Sequence, residues 1–356
     1  MSFIKGIELC RRFHTEIVEP VMAAACPGLP YSSALLGPGS EVIGYDTEMS
    51  TDHDWGPRVV LFLDPQQFGY GGQARLALQE HAPQTFYGFP VDPSRSVVTT
   101  VPQFIEACLA VHADEHMDIE LLDWLTFPSQ SLLEITEGAV YRDDRGGLTM
   151  LRRQLNYYPR DIWLYLMASC WQRIGQEEHL MLRAGYAGDE LGSAIIASRL
   201  VRDIMNLCFL IERRYAPYPK WFGTAFKQLK SADALMPYLW SAQTAAAWRE
   251  RECAFKHAYT CLSRIHNALG IAVKLPEDVS SFYDRPFQVM KGEDIARLIA
   301  NQITDTEISR LAEQRLIGNI DLLTDNTDFR KISRGKSLGG GNLRNDLKRF
   351  FKPESN

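Results

Sequence analysis

The chain has no CxxC pair, no long apolar run and no strong charge of either sign. Its seven cysteines (Cys10, Cys26, Cys108, Cys170, Cys208, Cys253 and Cys261) are odd in number and scattered. That spacing argues against a zinc ribbon or a disulfide framework and fits reduced thiols. No stretch approaches the roughly 20 apolar residues that span a bilayer. The N-terminus lacks the apolar core and cleavage pattern of a signal peptide. Instead Phe3, Ile7, Phe13, Ile17 and Val21 fall at helical spacing, interrupted by Arg11, Arg12 and Glu16, as in an amphipathic surface helix. His112 and His116 stand four residues apart, but Ala113-Asp114 begin a loop-like run, so they do not form a ligand pair on one helix, which argues against a histidine-based metal site. A net charge of −6 offers no general attraction to nucleic acid or to anionic membranes. The expectation is a cytoplasmic protein with no membrane partner.

What is present is ordinary globular material: 356 residues, 46% hydrophobic and 23% charged. Residues 1–150 mix helix and strand signals. Strands are expected over Ser32–Leu36, Arg58–Leu63 and Ser96–Val101, a short helix over Phe104–His112, and a strand pair over Leu132–Tyr141 turning near Gly138. Residues 151–330 carry long helical periodicities. One helix starts at Pro159 and runs to about Ala184 with Gly185 as its C-cap, and a second covers 190–215 with Asp189 as its N-cap. Two more are expected over 222–238 and 241–270. The basic, polar end, 331–356, reads as a mobile tail. The fold class is α+β, with a mixed sheet domain followed by an all-helical one.

The stretch most informative for chemistry is residues 35–63. A strand enters a turn at Gly39-Ser40, eleven residues separate Ser40 from Asp52, and Asp52-His53-Asp54 precedes the strongest strand of the domain. Alternation along an extended backbone would place Asp52 and Asp54 on one face. Two such carboxylates repel unless a cation lies between them, and Mg²⁺ favours oxygen ligands and bridges carboxylates to phosphates. The Gly39 backbone and the Ser40 hydroxyl supply a cradle for a triphosphate. A DxD alone is common in solvated turns; the glycine-serine turn, spacer and following strand give it weight.

This arrangement resembles the hG[GS]…DhDh signature of the polymerase-β nucleotidyltransferase superfamily. It departs from that signature at His53 and in the Trp55-Gly56-Pro57 insertion before the strand. More widely, GSEVIGYDTEMSTDHDWGPRVVLFL, YYPRDIWLYLMASCWQRIGQEE and RLVRDIMNLCFLIERRYAPYPKWFGTAF resemble the domain of unknown function 4037, from about residue 30 to 330. The organisation is also similar to the aminoglycoside nucleotidyltransferases. The resemblance implies Mg²⁺ and a nucleoside triphosphate, ATP being favoured, as donor, with Asp52 and Asp54 as metal ligands. It implies a third carboxylate, for which Asp118, Glu120 and Asp123 are the nearest acids and Asp123 the choice. It also implies a helical-domain base, Glu177 or Glu178, with Asp203 as an alternative.

Two polar stripes mark the helical region. Ser169, Gln172, Arg173, Gln176 and Glu177 share a face of the first long helix, and Arg199, Arg202, Asp203 and Asn206 a face of the second. Each is narrow and set among apolar residues, which favours burial against another polar surface over plain solvation. Arg199 and Arg202 suit phosphate contacts because guanidinium donates in a planar fork. Lys220, on a Pro-flanked loop beside Trp221, is a further candidate for the triphosphate. The expected reaction is transfer of a nucleoside monophosphate to a hydroxyl of a small-molecule acceptor. The acidic balance argues against a large RNA acceptor. A nucleotide-binding or sensing protein without activity, and transfer to a protein or tRNA, are the alternatives.

Overall fold

A computed structural model describes residues 3–52, 55–111, 119–271, 274–332 and 343–354. Asp54, His53 and Asp118 lie outside the described residues. The chain is α+β and divides into two compact units. The first comprises Met1–Ile119, Ser129–Asn156 and Lys331–Arg344; the second comprises Glu120–Pro128, Tyr157–Arg330 and Asn345–Asn356. Both units are discontinuous in sequence.

The first unit is built on a four-stranded mixed sheet of β1 (Tyr31–Leu35), β2 (Val60–Leu63), β3 (Val97–Thr99) and β4 (Ala139–Asp143), in the order β3-β2-β1-β4. β1 pairs antiparallel with β2 and β4, and β2 pairs parallel with β3. All four residues of β2 are buried, so both faces of the sheet are covered and the strand reads as a continuous apolar run. One face carries Val59, Leu61 and Leu63 into a core shared with Leu9, Phe13 and Met22. On the other, Phe62 meets Phe104 edge to face at 5.3 Å. Around the sheet lie α1 (Gly6–Phe13), α2 (Glu19–Ala25), α3 (Gly71–His81), α4 (Val101–Leu109), α5 (Ser129–Thr136) and α6 (Gly147–Gln154). A π-helical turn, His14–Val18, joins α1 to α2.

Two sequence expectations change here. Leu132–Thr136 belongs to helix α5 rather than to a strand, because burial of Leu132, Leu133 and Ile135 is satisfied on a helix as well as on a strand. Gly138 then turns the chain with φ +78°, and a Cβ there would strike the Leu35 carbonyl. Val101 opens α4 instead of closing β3, since the Thr100 hydroxyl caps the Gln103 amide at 3.3 Å.

The second unit is helical: α7 (Arg160–Tyr186), α8 (Glu190–Ile211), α9 (Pro219–Phe226), α10 (Ala232–Thr244), α11 (Trp248–Asn267), α12 (Gly292–Ala300) and α13 (Thr306–Gln314). α7 carries Tyr165 and Trp171 fully buried, and Tyr259 and Phe255 of α11 are buried with them. Asp189 caps α8 by accepting from Gly192 N at 2.7 Å, as the sequence indicates. Gly185 is not a C-cap. It lies inside α7, where a Cβ would overlap the Trp248 side chain, and Gly188 with φ +87° ends the segment. The two later helices divide differently from expectation, as three segments over 219–267. Of the terminal segment, residues 343–354 are described. Leu343–Phe351 forms a helix with Phe351 fully buried, and Arg315 donates to the Phe350 and Lys352 carbonyls at 2.6 and 3.0 Å.

α7 packs closely against the start of α12 at Gly175 and Gly292. A Cβ on Gly292 would overlap the Trp171 carbonyl and the Gly175 amide, which are backbone atoms with no room to yield. Gly292→Ala is expected to destabilise the chain by about 1–3 kcal/mol, the usual range for overpacking. A thermal-unfolding midpoint equal to that of the parent would show that the crossing can open at no cost.

Candidate functional site

The Gly-Pro-Gly-Ser loop leaves β1 immediately after Leu36. Antiparallel pairing sets Ala34 opposite Val60, so this loop and the segment entering β2 lie at the same end of the sheet. Strand pairing thus carries the glycine-serine loop and the residues just before Val60 to one end of the sheet, with Asp52 eight residues ahead of Val60 in the chain. Gly39 has φ +141°, and a Cβ on it would collide with the Glu41 carboxylate beneath. Glycine is required there for backbone shape and for close packing. The amides of Gly39 and Ser40 and the Ser40 hydroxyl make no hydrogen bond to another described residue.

Beneath the loop is a brace that sequence reasoning did not anticipate. Arg58, buried, donates to Glu41 at 2.7 Å, to the Pro38 carbonyl at 2.7 Å and to the Leu36 carbonyl at 3.3 Å. Glu41 is 1% exposed, so this is a desolvated ion pair that also satisfies loop carbonyls. A second buried acid, Asp46, accepts from Gly6 N at 2.7 Å and Trp55 Nε1 at 3.1 Å and pairs with Lys5. It caps α1 and anchors the residue that follows the DHD stretch. Trp55 packs against Phe89 with centroids 4.9 Å apart, and its carbonyl accepts from Arg95 at 2.8 Å. The Cys10 thiol, pushed up to about 11 by burial, donates to the Gly56 carbonyl. Trp55-Gly56-Pro57 is therefore the fixed footing of the segment.

Asp52 itself closes a 3₁₀ helix, Glu48–Asp52, and is exposed. It does not stand on a strand. Gly56 with φ +143° and Pro57 delay the strand to Val60, so alternation cannot set the relation of Asp52 to Asp54. Among the described residues no group of three or more His, Cys, Asp or Glu gathers to hold a metal. Asp52 carries an exposed carboxylate, a hard oxygen donor of the kind Mg²⁺ takes beside water and substrate phosphates.

The other nominated residues belong to the second unit. Asp123 is 3% exposed in the 3₁₀ helix Leu121–Leu125. It accepts from Glu120 N at 3.0 Å and pairs with Lys348 at 2.9 Å. Burial opposes the charge of Lys348, but hydrogen bonds to Asp123 and Glu120 raise its affinity for the proton above the ordinary value. Asp123 thus serves as a helix cap and ion-pair partner. Glu178 is a helix anchor too: its carboxylate accepts from Met290 N at 2.6 Å and Gly292 N at 3.1 Å at the start of α12. Burial pushes its carboxyl up to about 7 against the pull of those amides.

The two polar stripes meet each other. Arg173 of α7 pairs with buried Asp203 of α8 at 3.2 Å, and Glu177 pairs with Arg199 at 2.6 Å. Burial raises the Asp203 carboxyl, and Arg173 opposes that rise. Arg202 pairs with Asp325. Lys220 is exposed in the first turn of α9, its ammonium 5.0 Å from the Trp221 ring centre. A separate, mainly apolar cavity of about 290 Å³ lies at the opposite end of the sheet from the glycine loop, against Tyr31, Phe62 and Leu63.

Residues 124–222 match the model of the domain of unknown function DUF4037, so the resemblance drawn from sequence is borne out over that stretch. No curated protein matches the chain. Among solved structures, the crystal structure of a nucleotidyltransferase-like protein from Exiguobacterium sibiricum 255-15 is similar over 78% of this chain and 83% of that one, at 9% identity and a TM-score of 0.33. No helix among the described residues is long and apolar enough to cross a membrane.

Proposed function

We propose that the protein is a nucleotidyltransferase that moves a nucleoside monophosphate, AMP by preference, from a Mg²⁺-bound triphosphate to a hydroxyl of a small-molecule acceptor. The observation that carries this reading is one end of the central β1–β2 pair. There the glycine-serine loop is braced by Arg58 and the Gly39 and Ser40 amides bond to no other described residue, with Asp52 in the segment that leads into β2. Gly39 and Ser40 would receive the β- and γ-phosphates through backbone amides and a hydroxyl. Asp52, with Asp54, would hold Mg²⁺, which when bound neutralises charge on the phosphate oxygens. The acceptor oxygen forms a bond to the α-phosphorus, the bond to the β-phosphate oxygen breaks, and pyrophosphate leaves. The helical unit would select the acceptor. Glu177 is the candidate for its proton, since Glu178 is engaged with α12 and the Glu177 Oε2 atom has no hydrogen-bond partner among the described residues.

The test is Asp54→Asn beside Asp52→Asn, each incubated with labelled ATP, Mg²⁺ and a metabolite extract. Both are expected to lose pyrophosphate release and labelled product by a factor of about 100 or more, as when a group stabilising developing charge is removed. Far-ultraviolet circular dichroism should be unchanged. Undiminished transfer in either variant rejects the assigned site. A nucleotide-binding protein without transfer is the second reading, favoured by the engagement of Asp123 with Lys348 and Glu120. It predicts Mg²⁺-dependent ATP binding with no pyrophosphate release.

A further inference from the structure

The helical unit contains a small polar cavity of about 240 Å³. α7 gives it Arg173, α8 gives it Arg199 and Arg202, and the segment after the short helix Ile320–Leu323 gives it Leu322, Thr324 and Asp325. Arg199 and Arg202 are three residues apart and so share a face of α8. The volume is that of about eight water molecules at their liquid share of space, which is room for a phosphoryl group.

The arginines are held from behind. Arg173 uses Nε on buried Asp203 and Nη1 on the Leu322 carbonyl at 2.7 Å. Arg199 uses Nη2 on Glu177, whose side chain is 13% exposed. A guanidinium has five N–H donors, and these bonds occupy only one or two of each. The Thr324 hydroxyl oxygen accepts from Asn326 N at 3.0 Å, which leaves its proton to donate.

The remaining wall group is a carboxylate. Asp325 bonds Arg202 and lies 3.6 Å from Arg330 Nη2, yet it is 68% exposed. A pair that open to water contributes about 0–1 kcal/mol and yields readily to an anion with more contacts. Glu177 and Asp203 balance two of the three arginines, so moving Asp325 aside leaves the cavity with one net positive charge. Guanidinium groups arriving from two helices suit the three terminal oxygens of a tetrahedral anion better than a planar carboxylate, which occupies one fork.

We infer that the helical unit binds the phosphoryl group of a small molecule at Arg173, Arg199 and Arg202, with Asp325 standing in for the anion when the site is empty. This separates Arg199 and Arg202 from the donor triphosphate to which their sequence pattern first points. That the ligand is the acceptor of the proposed transfer rests on the preceding reading; the site does not.

Calorimetric titration of the full chain with inorganic phosphate and with glycerol 3-phosphate, at constant ionic strength, tests it. Binding is expected in the parent chain. Arg202→Gln and Arg199→Gln, at half-exposed side chains, should each weaken it about tenfold or more, the loss of one charge-assisted fork. Asp325→Asn should tighten it several-fold, and Asp52→Asn should leave it unchanged. Phosphate binding that is absent from both the parent and Asp325→Asn overturns the inference. So does binding indifferent to Arg202→Gln, or a gain in Asp325→Asn that chloride shares equally. If Arg202→Gln weakens Mg-ATP but not phosphate, the arginines serve the donor and the inference falls. Retained phosphate binding in a chain that shows no transfer removes only the acceptor assignment.

Discussion

Arg58→Met will lower the stability of the chain by about 3–5 kcal/mol, because it strands a buried carboxylate without its counter-charge. Glu41 is 1% exposed and its described salt-bridge partner is Arg58, so neither water nor a neighbour replaces the lost guanidinium. The double variant Arg58→Met/Glu41→Leu is expected to regain most of that loss, since an apolar pair of similar volume can substitute for a desolvated ion pair. Urea midpoints of the three chains measure this. Nucleotide affinity should follow a different rule. Arg58 also holds the Leu36 and Pro38 carbonyls, and the double variant has no donor for them. Its affinity for Mg-ATP should therefore stay low although its stability returns. Recovery of both together would make Arg58 a packing residue with no part in shaping the loop.

The second large effect concerns pH. Glu178, raised from 4.5 to about 7, holds its proton more tightly folded than unfolded. Its contribution is full below pH 4.5 and is lost as pH rises through 7. His266, 1% exposed and lowered from 6.5 to about 4 by burial, does the reverse: its contribution is present above 6.5 and lost as pH falls through 4. At 1.36 kcal/mol per tenfold change, each amounts to about 3 kcal/mol over its range. Between pH 4.5 and 6.5 the two slopes oppose and cancel. Relative to the parent, Glu178→Gln should gain about 2–3 kcal/mol across that window as pH rises, and His266→Phe should lose as much. Denaturation curves taken at intervals of pH, compared as differences, read this directly. Parallel curves for parent and variants would mean that neither group changes its proton affinity on folding.

The parts of the molecule visible in the sequence are those governed by local rules. The apolar run at Val59–Leu63, the caps at Asp189 and the periodicity of α7 and α8 depend on neighbours within a turn or two. The glycine-serine loop and the DHD segment also show locally. What did not show depends on distant pairing. Arg58 reads as the polar first residue of a strand, and nothing in a single chain says that Glu41 waits for it. Asp123 reads as a site acid until Lys348 is placed beside it. Gly185 stands near a helix end, where a cap is the usual reading, but the indole of Trp248 decides its role. The polar stripes on α7 and α8 were legible as faces needing a polar partner; that they chiefly serve each other is a fact of tertiary packing.

The pairing of Asp123 with Lys348 bears on how the chain is made. Residues 120–128 leave the ribosome early, yet they belong to a unit finished by residues 345–356. At synthesis rates of about 5–20 residues per second, the carboxylate of Asp123 waits ten seconds or more for its ammonium partner. Through that interval the Leu121–Leu125 segment, with Leu122, Trp124 and Leu125 destined for burial, lacks its closing helix. A nascent chain halted before residue 343 would thus present this segment without the Lys348 ammonium that pairs with Glu120 and Asp123.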